Sequence, residues 1–203
     1  MSRSWVRKMK KAESSTFFQN DKYFVEITFD ETYTIDSVDN KRYDYVLNPS
    51  SKRRGDMYKV LHLSVKEVQN ADIALIGDYY TYLEDCAILE DNILTVLQND
   101  YISQIDLETF QIIAGYELDV FGTNFSIHRM TDGYLIYGEI EIIKLDNEFN
   151  AVWKFSGRDI FVSISGKNAF ELTDHSIKLY DFENNYYEID YDGNEIKFEE
   201  SVK

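Results

Sequence analysis

Apolar and polar residues alternate with a period of two through much of this chain, the spacing of strands that bury one face. In "KYFVEITF" (22–29), Tyr23, Val25, Ile27 and Phe29 fall on one side, and Phe24, Glu26 and Thr28 on the other. The same reading predicts strands over "TYTIDSV" (32–38), "RYDYVLN" (42–48) and "MYKVLHLSVKEV" (57–68). The unbroken apolar run in "DIALIGD" (72–78) predicts a strand buried on both faces. "NPSSKRRGD" (48–56), which holds the only proline, Pro49, reads as a loop, and "YYTYLED" (79–85) as a loop or helical turn. Helical spacing occurs only in "SWVRKMKKAE" (4–13), where Trp5 and Met9 stand four apart.

The second half repeats. "YISQIDLETFQIIAGYEL" (101–118), "IEIIKLDNEFNAVWKF" (140–155) and "HSIKLYDFENNYYEIDYDGN" (175–194) align on Asp106, Asp146 and Asp181, in steps of 40 and 35 residues. Each reads as strand, acidic turn, strand. A further strand precedes each: "ILTVLQ" (93–98), "GYLIYG" (133–138) and "NAFELT" (168–173). In the clearest unit the order is "YLIYG", "EIIKLD", "AVWKFSG", "DIFVSI". Four short strands in about 40 residues is the size of a propeller blade or a meander unit.

Leu145 and Asp146, a turn, then Trp153 and Phe155 form the pattern Leu-Asp, turn, xxWxF. On these residues the stretch 88–196 resembles the blades of WD-like and quinoprotein-like β-propeller repeat proteins. The resemblance implies an interaction scaffold. There is no Trp-Asp or Gly-His pair, and the third unit lacks the tryptophan; no site residue and no cofactor is carried over. The predicted fold is all-β, with antiparallel blade-like repeats and a less regular N-terminal half. The repeats either close into a propeller of four or five blades or stay open as a curved sheet. Residues 1–15 are expected to be a poorly ordered basic arm, and 16–203 a single all-β domain with its clearest repeats over 86–203.

Composition narrows the function. The chain carries 16 tyrosines and a net charge of -16. Arg3, Arg7, Lys8, Lys10 and Lys11 place +5 in the first twelve residues, so the remainder stands at -21. Such a body repels nucleic acid and anionic lipid, because phosphate binding needs Lys or Arg, and it attracts a basic partner. Neither nucleic acid nor membrane is expected as a partner. The lone Cys86 excludes an internal disulfide and favours a reducing compartment. No segment has signal-peptide character or a membrane-length apolar run, so the expected location is the cytoplasm.

Few residues form a chemical constellation. His62, His128 and His175 lie on separate elements with no metal-ligand spacing. Glu84 and Asp85 beside Cys86 disfavour a thiolate, so a buried structural cysteine is expected. Asp190, Asp192 and Asn194 match the first ligands of a calcium loop, but Glu195 and Ser201 break the pattern, and Asp192-Gly193 reads as a hairpin turn. The "RGD" at 54–56, with Lys52 and Arg53, reads as a solvated loop. Asp159, beside Arg158 and close to Trp153, is the best local carboxylate for sugar chemistry, set against a structural pairing with strand neighbours.

The leading expectation is a non-enzymatic module that holds a basic protein through an acidic, tyrosine-rich surface, with Trp153, Arg158, Asp159, Tyr186 and Tyr187 as its rim residues. An immunity protein that neutralises a basic toxin domain is one concrete case. The alternatives are a carbohydrate-active or metal-assisted enzyme with carboxylates on one rim, and a structural repeat scaffold.

Overall fold

A computed structural model describes residues 15–34, 37–50, 70–77, 83, 85–119, 121–163, 166 and 168–201, and the backbone of 59–66. The basic arm up to residue 14, the RGD loop with Lys52, Arg53 and Arg54, the His62 side chain and most of 79–85 lie outside the described residues. The chain divides into two compact units, Met1–Leu118 and Asp119–Lys203. Every described regular element is a strand.

The first unit holds two sheets. One has the order β1-β2-β4-β5-β3, from β1 (Ser15–Gln19), β2 (Phe24–Asp30), β3 (Tyr45–Leu47), β4 (Lys59–Lys66) and β5 (Ala71–Gly77). Only the β3–β5 pair is parallel. The alternation in β2 is as expected: Val25 and Ile27 are buried, while Phe24, Glu26 and Thr28 are half-exposed. β5 is buried on both faces, also as expected. The other sheet is a meander of β6 (Ala87–Glu90), β7 (Ile93–Gln98), β8 (Tyr101–Asp106) and β9 (Gln111–Glu117). Val25, Ile27, Ile73 and Leu75 share one core with Leu94, Val96, Ile105, Phe110 and the buried Cys86.

Ser15, the last residue of the expected arm, pairs with Thr28. The described part of 32–38 forms no strand. The Asp30 carboxylate instead accepts from Thr32 N (2.9 Å), Tyr33 N (3.1 Å) and the Tyr43 hydroxyl (2.6 Å). Local side-chain bonds of this kind compete with a ladder and win here.

The second unit holds two four-stranded meanders. The first contains β10 (Asn124–Met130), β11 (Gly133–Gly138), β12 (Glu141–Leu145) and β13 (Ala151–Ser156). The second contains β14 (Phe170–Leu172), β15 (Ile177–Tyr180), β16 (Tyr186–Ile189) and β17 (Glu195–Glu199). Leu135 and Ile142 from one sheet pack with Ile177, Leu179, Tyr187 and Ile189 from the other, around Phe161 in the connection.

The blades start one strand earlier than the sequence suggests. β10 opens its sheet, and the described part of "DIFVSI" is not a strand. Phe161 turns inward, fully buried, and its N donates to Glu139 O at 2.6 Å. β10 escaped detection because the polar Asn124 and Ser126 occupy buried positions. The third repeat shifts as well. Asp106 and Asp146 follow the third strands β8 and β12; their counterpart is Asp190, after β16, whereas Asp181 follows the second strand, β15.

With that correction a further regularity emerges. The fourth strand of each sheet has one residue without a partner on the third. Ile113 lies between the pairs Ile105–Ile112 and Gln104–Ala114. Val152 lies between Leu145–Ala151 and Lys144–Trp153, and Ile196 between Ile189–Glu195 and Glu188–Lys197. Each is a β-bulge carrying an exposed aliphatic side chain, at 53%, 59% and 57% exposure.

Candidate interaction surface

The strongest concentration of unbalanced charge spans Tyr180–Glu200, which holds eight carboxylates and the single cation Lys197. Its framework is an Asp-x-x-x-Asn turn that occurs three times in the second unit. Asp146 Oδ1 accepts Asn150 N at 2.8 Å and Oδ2 accepts Asn150 Nδ2 at 3.0 Å. Asp181 and Asn185 repeat this at 2.9 Å and 2.9 Å, Asp190 and Asn194 at 2.8 Å and 3.0 Å. The residue before each asparagine is left-handed: Phe149 (φ 64°), Asn184 (φ 66°) and Gly193 (φ 85°). The hairpin reading of 190–194 therefore holds, with Asp190 serving as the turn's acceptor.

Asp146 and Asp190 each gain these donors, led by the asparagine amide, and their carboxyl pKa values fall below the ordinary range. Asp181 differs in being fully buried. Its third donor is the Tyr187 hydroxyl, 2.8 Å from Oδ2. That hydroxyl also accepts Arg158 N at 2.9 Å. Burial foremost, with the Asp181 carboxylate adding to it, pushes the Tyr187 phenol up to about 12.

The five rim residues are distributed unevenly. Arg158 is exposed; its guanidinium stacks 4.3 Å from the Phe198 ring and bonds Glu200 at 3.1 Å. Asp159 is half-exposed and accepts Ile160 N at 2.8 Å. Tyr186 donates to Glu188 at 3.0 Å beneath Lys197; burial first, then that bond, pushes its phenol to about 12. Tyr187 is core, 2% exposed, and presents nothing to a partner. Trp153 donates Nε1 to Tyr191 O at 3.2 Å and lies flat on Gly193, where an added Cβ would come within 2.7 Å of the indole. Trp153 thus anchors the β16–β17 turn.

Sequence reasoning missed the residues that surround the concavity here. A cavity of about 310 Å³ is lined by Glu183, Asn185, Glu200 and Ser201. Asn185 is 3% exposed and accepts Ser201 N at 2.9 Å, fixing the chain beyond β17. The Asp181-x-x-x-Asn185 spacing was the available signal, since it matches Asp146–Asn150. Neither Asp159 nor Trp153 lines this cavity. A general-acid carboxyl needs an apolar enclosure; the Glu200 side chain is 72% exposed and bonded to Arg158. His128 meets Ser126 Oγ at 2.8 Å and stacks on Phe170, while His175 is exposed. Among the described residues no group of three or more His, Cys, Asp or Glu side chains is arranged to hold a metal.

No protein family matches the chain, and no curated protein matches it. Several solved structures are similar to it. The AfRom2 CNH domain aligns at 11% identity over 96% of this chain and 70% of that one, with a TM-score of 0.48. The dihydro-heme d1 dehydrogenase NirN in complex with DHE aligns at 15% over 96% and 47%, with a TM-score of 0.49. BamB from Moraxella catarrhalis aligns at 8% over 93% and 61%, with a TM-score of 0.42. The chain thus spans less than two thirds of BamB and under half of NirN. The propeller-like resemblance rests on the sheets themselves: three consecutive four-stranded antiparallel meanders.

Proposed function

We propose that the protein is a non-enzymatic binding module that holds a basic protein partner through the acidic end of its last sheet. Immunity against a basic toxin domain in the cytoplasm is the concrete case we favour. One observation carries the reading: seven carboxylates outside the core over Tyr180–Glu200, met by Lys197 and by Arg158 at Glu200, beside a cavity flanked by Glu183 and Glu200. Clustered like charge raises the free energy of the folded state. A cationic partner offsets that cost and is steered to the surface from a distance.

Affinity capture from native lysate, followed by mass spectrometry and a salt gradient, tests the proposal. A basic protein that binds saturably, elutes with salt and is lost on Glu183→Lys with Glu200→Lys is expected. Recovery of no basic protein, or of one indifferent to salt and to both substitutions, refutes it.

A further inference from the structure

The last strand has an open edge. Among the described residues β17 pairs with β16 alone, through Tyr186–Glu199, Tyr187–Phe198 and Glu188–Lys197. Its other side presents main-chain donors and acceptors with no described strand against them, which is a template for a further strand. The bulge at Ile196 interrupts the first residues, so the regular part of the platform is Lys197–Glu199. The bond from Ser201 N to Asn185 Oδ1 holds the chain in place beyond it.

Charge sets this edge apart from those of the other two meanders. β17 and the residue after it carry Glu195, Glu199 and Glu200 against Lys197, 2.7 Å from Glu199, and Arg158, 3.1 Å from Glu200. β9 carries one acid, Glu117, and β13 carries Lys154 and no acid. A second copy of the chain pairing here edge to edge would bring glutamates against glutamates, which disfavours it. An extended segment bearing Lys or Arg matches both the backbone and the charge. The cavity lined by Glu183, Asn185, Glu200 and Ser201 lies beyond the end of the β16–β17 pair. In strand addition, main-chain bonds supply affinity and side-chain pockets supply selection.

We propose that the β17 edge, Lys197–Glu199, receives an extended, lysine- or arginine-bearing segment of a protein partner as an added strand. The inference rests on the proposed function and specifies how the partner is held.

The test titrates the full ¹⁵N-labelled chain with a synthetic (Lys-Val)4 peptide and, separately, with (Glu-Val)4. Exchange of the β17 amides is followed by NMR. The expected result is saturable binding of the basic peptide alone, with the outward-facing β17 amides slowed at least tenfold. Glu195→Lys with Glu199→Lys should weaken the peptide at least tenfold while leaving β17 exchange in the free protein unchanged. Equal binding of both peptides, no binding, or binding without slowed β17 exchange overturns the inference; the glutamates then serve only to keep the edge from self-pairing. A basic protein captured from lysate that leaves β17 exchange unchanged also overturns it, while the proposed function stands.

Discussion

Replacing Tyr187 by Phe removes one oxygen from the core and leaves the shape intact. The ring keeps its contacts with Phe161 (5.9 Å, 88°), Phe155 (6.0 Å) and Phe198 (5.1 Å). What disappears is a donor to Asp181 Oδ2 and an acceptor for Arg158 N. Asp181 is fully buried and keeps only the two donors of Asn185. A bond to a charged group contributes about 1.5–3 kcal/mol. The Arg158 N–H loses its acceptor as well and adds to the cost. Tyr187→Phe should therefore destabilise the second unit by about 2–3 kcal/mol. Tyr186→Phe loses a bond to the half-exposed Glu188 and should cost under about 1 kcal/mol. Urea unfolding followed by tryptophan fluorescence in a Trp5→Phe background compares the two. The alkaline limb supplies a second readout. The folded Tyr187 phenol stands at about 12, above the unfolded value of about 10, so its contribution is complete below about pH 10 and is lost as pH rises through 12. Tyr43 and Tyr186 are raised in the same direction, so wild type minus Tyr187→Phe isolates the Tyr187 share. A Tyr187→Phe variant within about 0.5 kcal/mol of wild type, with an unaltered alkaline slope, would refute the Asp181 network as a stabilising element.

Four other outcomes are expected. Asp132→Ala should cost about 2 kcal/mol by stranding the buried Lys144 ammonium, whereas Lys144→Met should be near neutral or stabilising; chemical denaturation of both variants checks the asymmetry. Gly133→Ala should cost about 3 kcal/mol or more, or abolish folding, because its Cβ would lie 1.9 Å from the Leu145 carbonyl oxygen; soluble yield and thermal unfolding report it. Phe149→Gly relieves a left-handed phenylalanine but removes a buried ring stacked 4.6 Å from Tyr134, so a net loss of about 2–4 kcal/mol is expected in urea titration. Because the folded Asp146 and Asp190 pKa values are depressed, their contribution is present above about pH 4 and lost as pH falls through the folded values; Asp190→Asn should flatten that part of the acid-unfolding curve.

The blade strands were legible where aliphatic residues dominate. "ILTVLQ" and "GYLIYG" coincide with β7 and β11 because Leu94, Val96, Leu97, Tyr134, Leu135 and Ile136 give each a dominant aliphatic or aromatic run, even though Thr95 and Gln98 are buried beside them. β10 was illegible because Asn124 and Ser126 fill buried positions through hydrogen bonding rather than hydrophobicity, which period-two patterning does not score. "DIFVSI" misled for the opposite reason: Phe161 is apolar to plug the core from a connection. The third repeat was misframed because "YDFENN" and "DYDGN" use the same Asp-x-x-x-Asn chemistry at consecutive turns, and only pairing partners distinguish the second turn from the third. At the candidate surface, Arg158 and Asp159 were read as neighbours from adjacency. Glu200 joins Arg158 across 42 residues, a closure that depends on the β16–β17 register.

The three copies of one turn separate structural acids from available ones. Asp146 and Asp190 fold their own loops and are satisfied within five residues. Asp181 spends its charge inside the protein, where three donors offset the loss of water. None of these three needs a partner to explain it. Glu195, Glu199 and Glu200 close no turn: Glu199 meets Lys197 and Glu200 meets Arg158, both across exposed ion pairs that contribute little to stability. Charge on an open edge already disfavours self-pairing, and the two ion pairs offset most of the repulsion within the second set. A basic peptide that pairs with β17 separates strand addition by a cationic segment from edge protection alone.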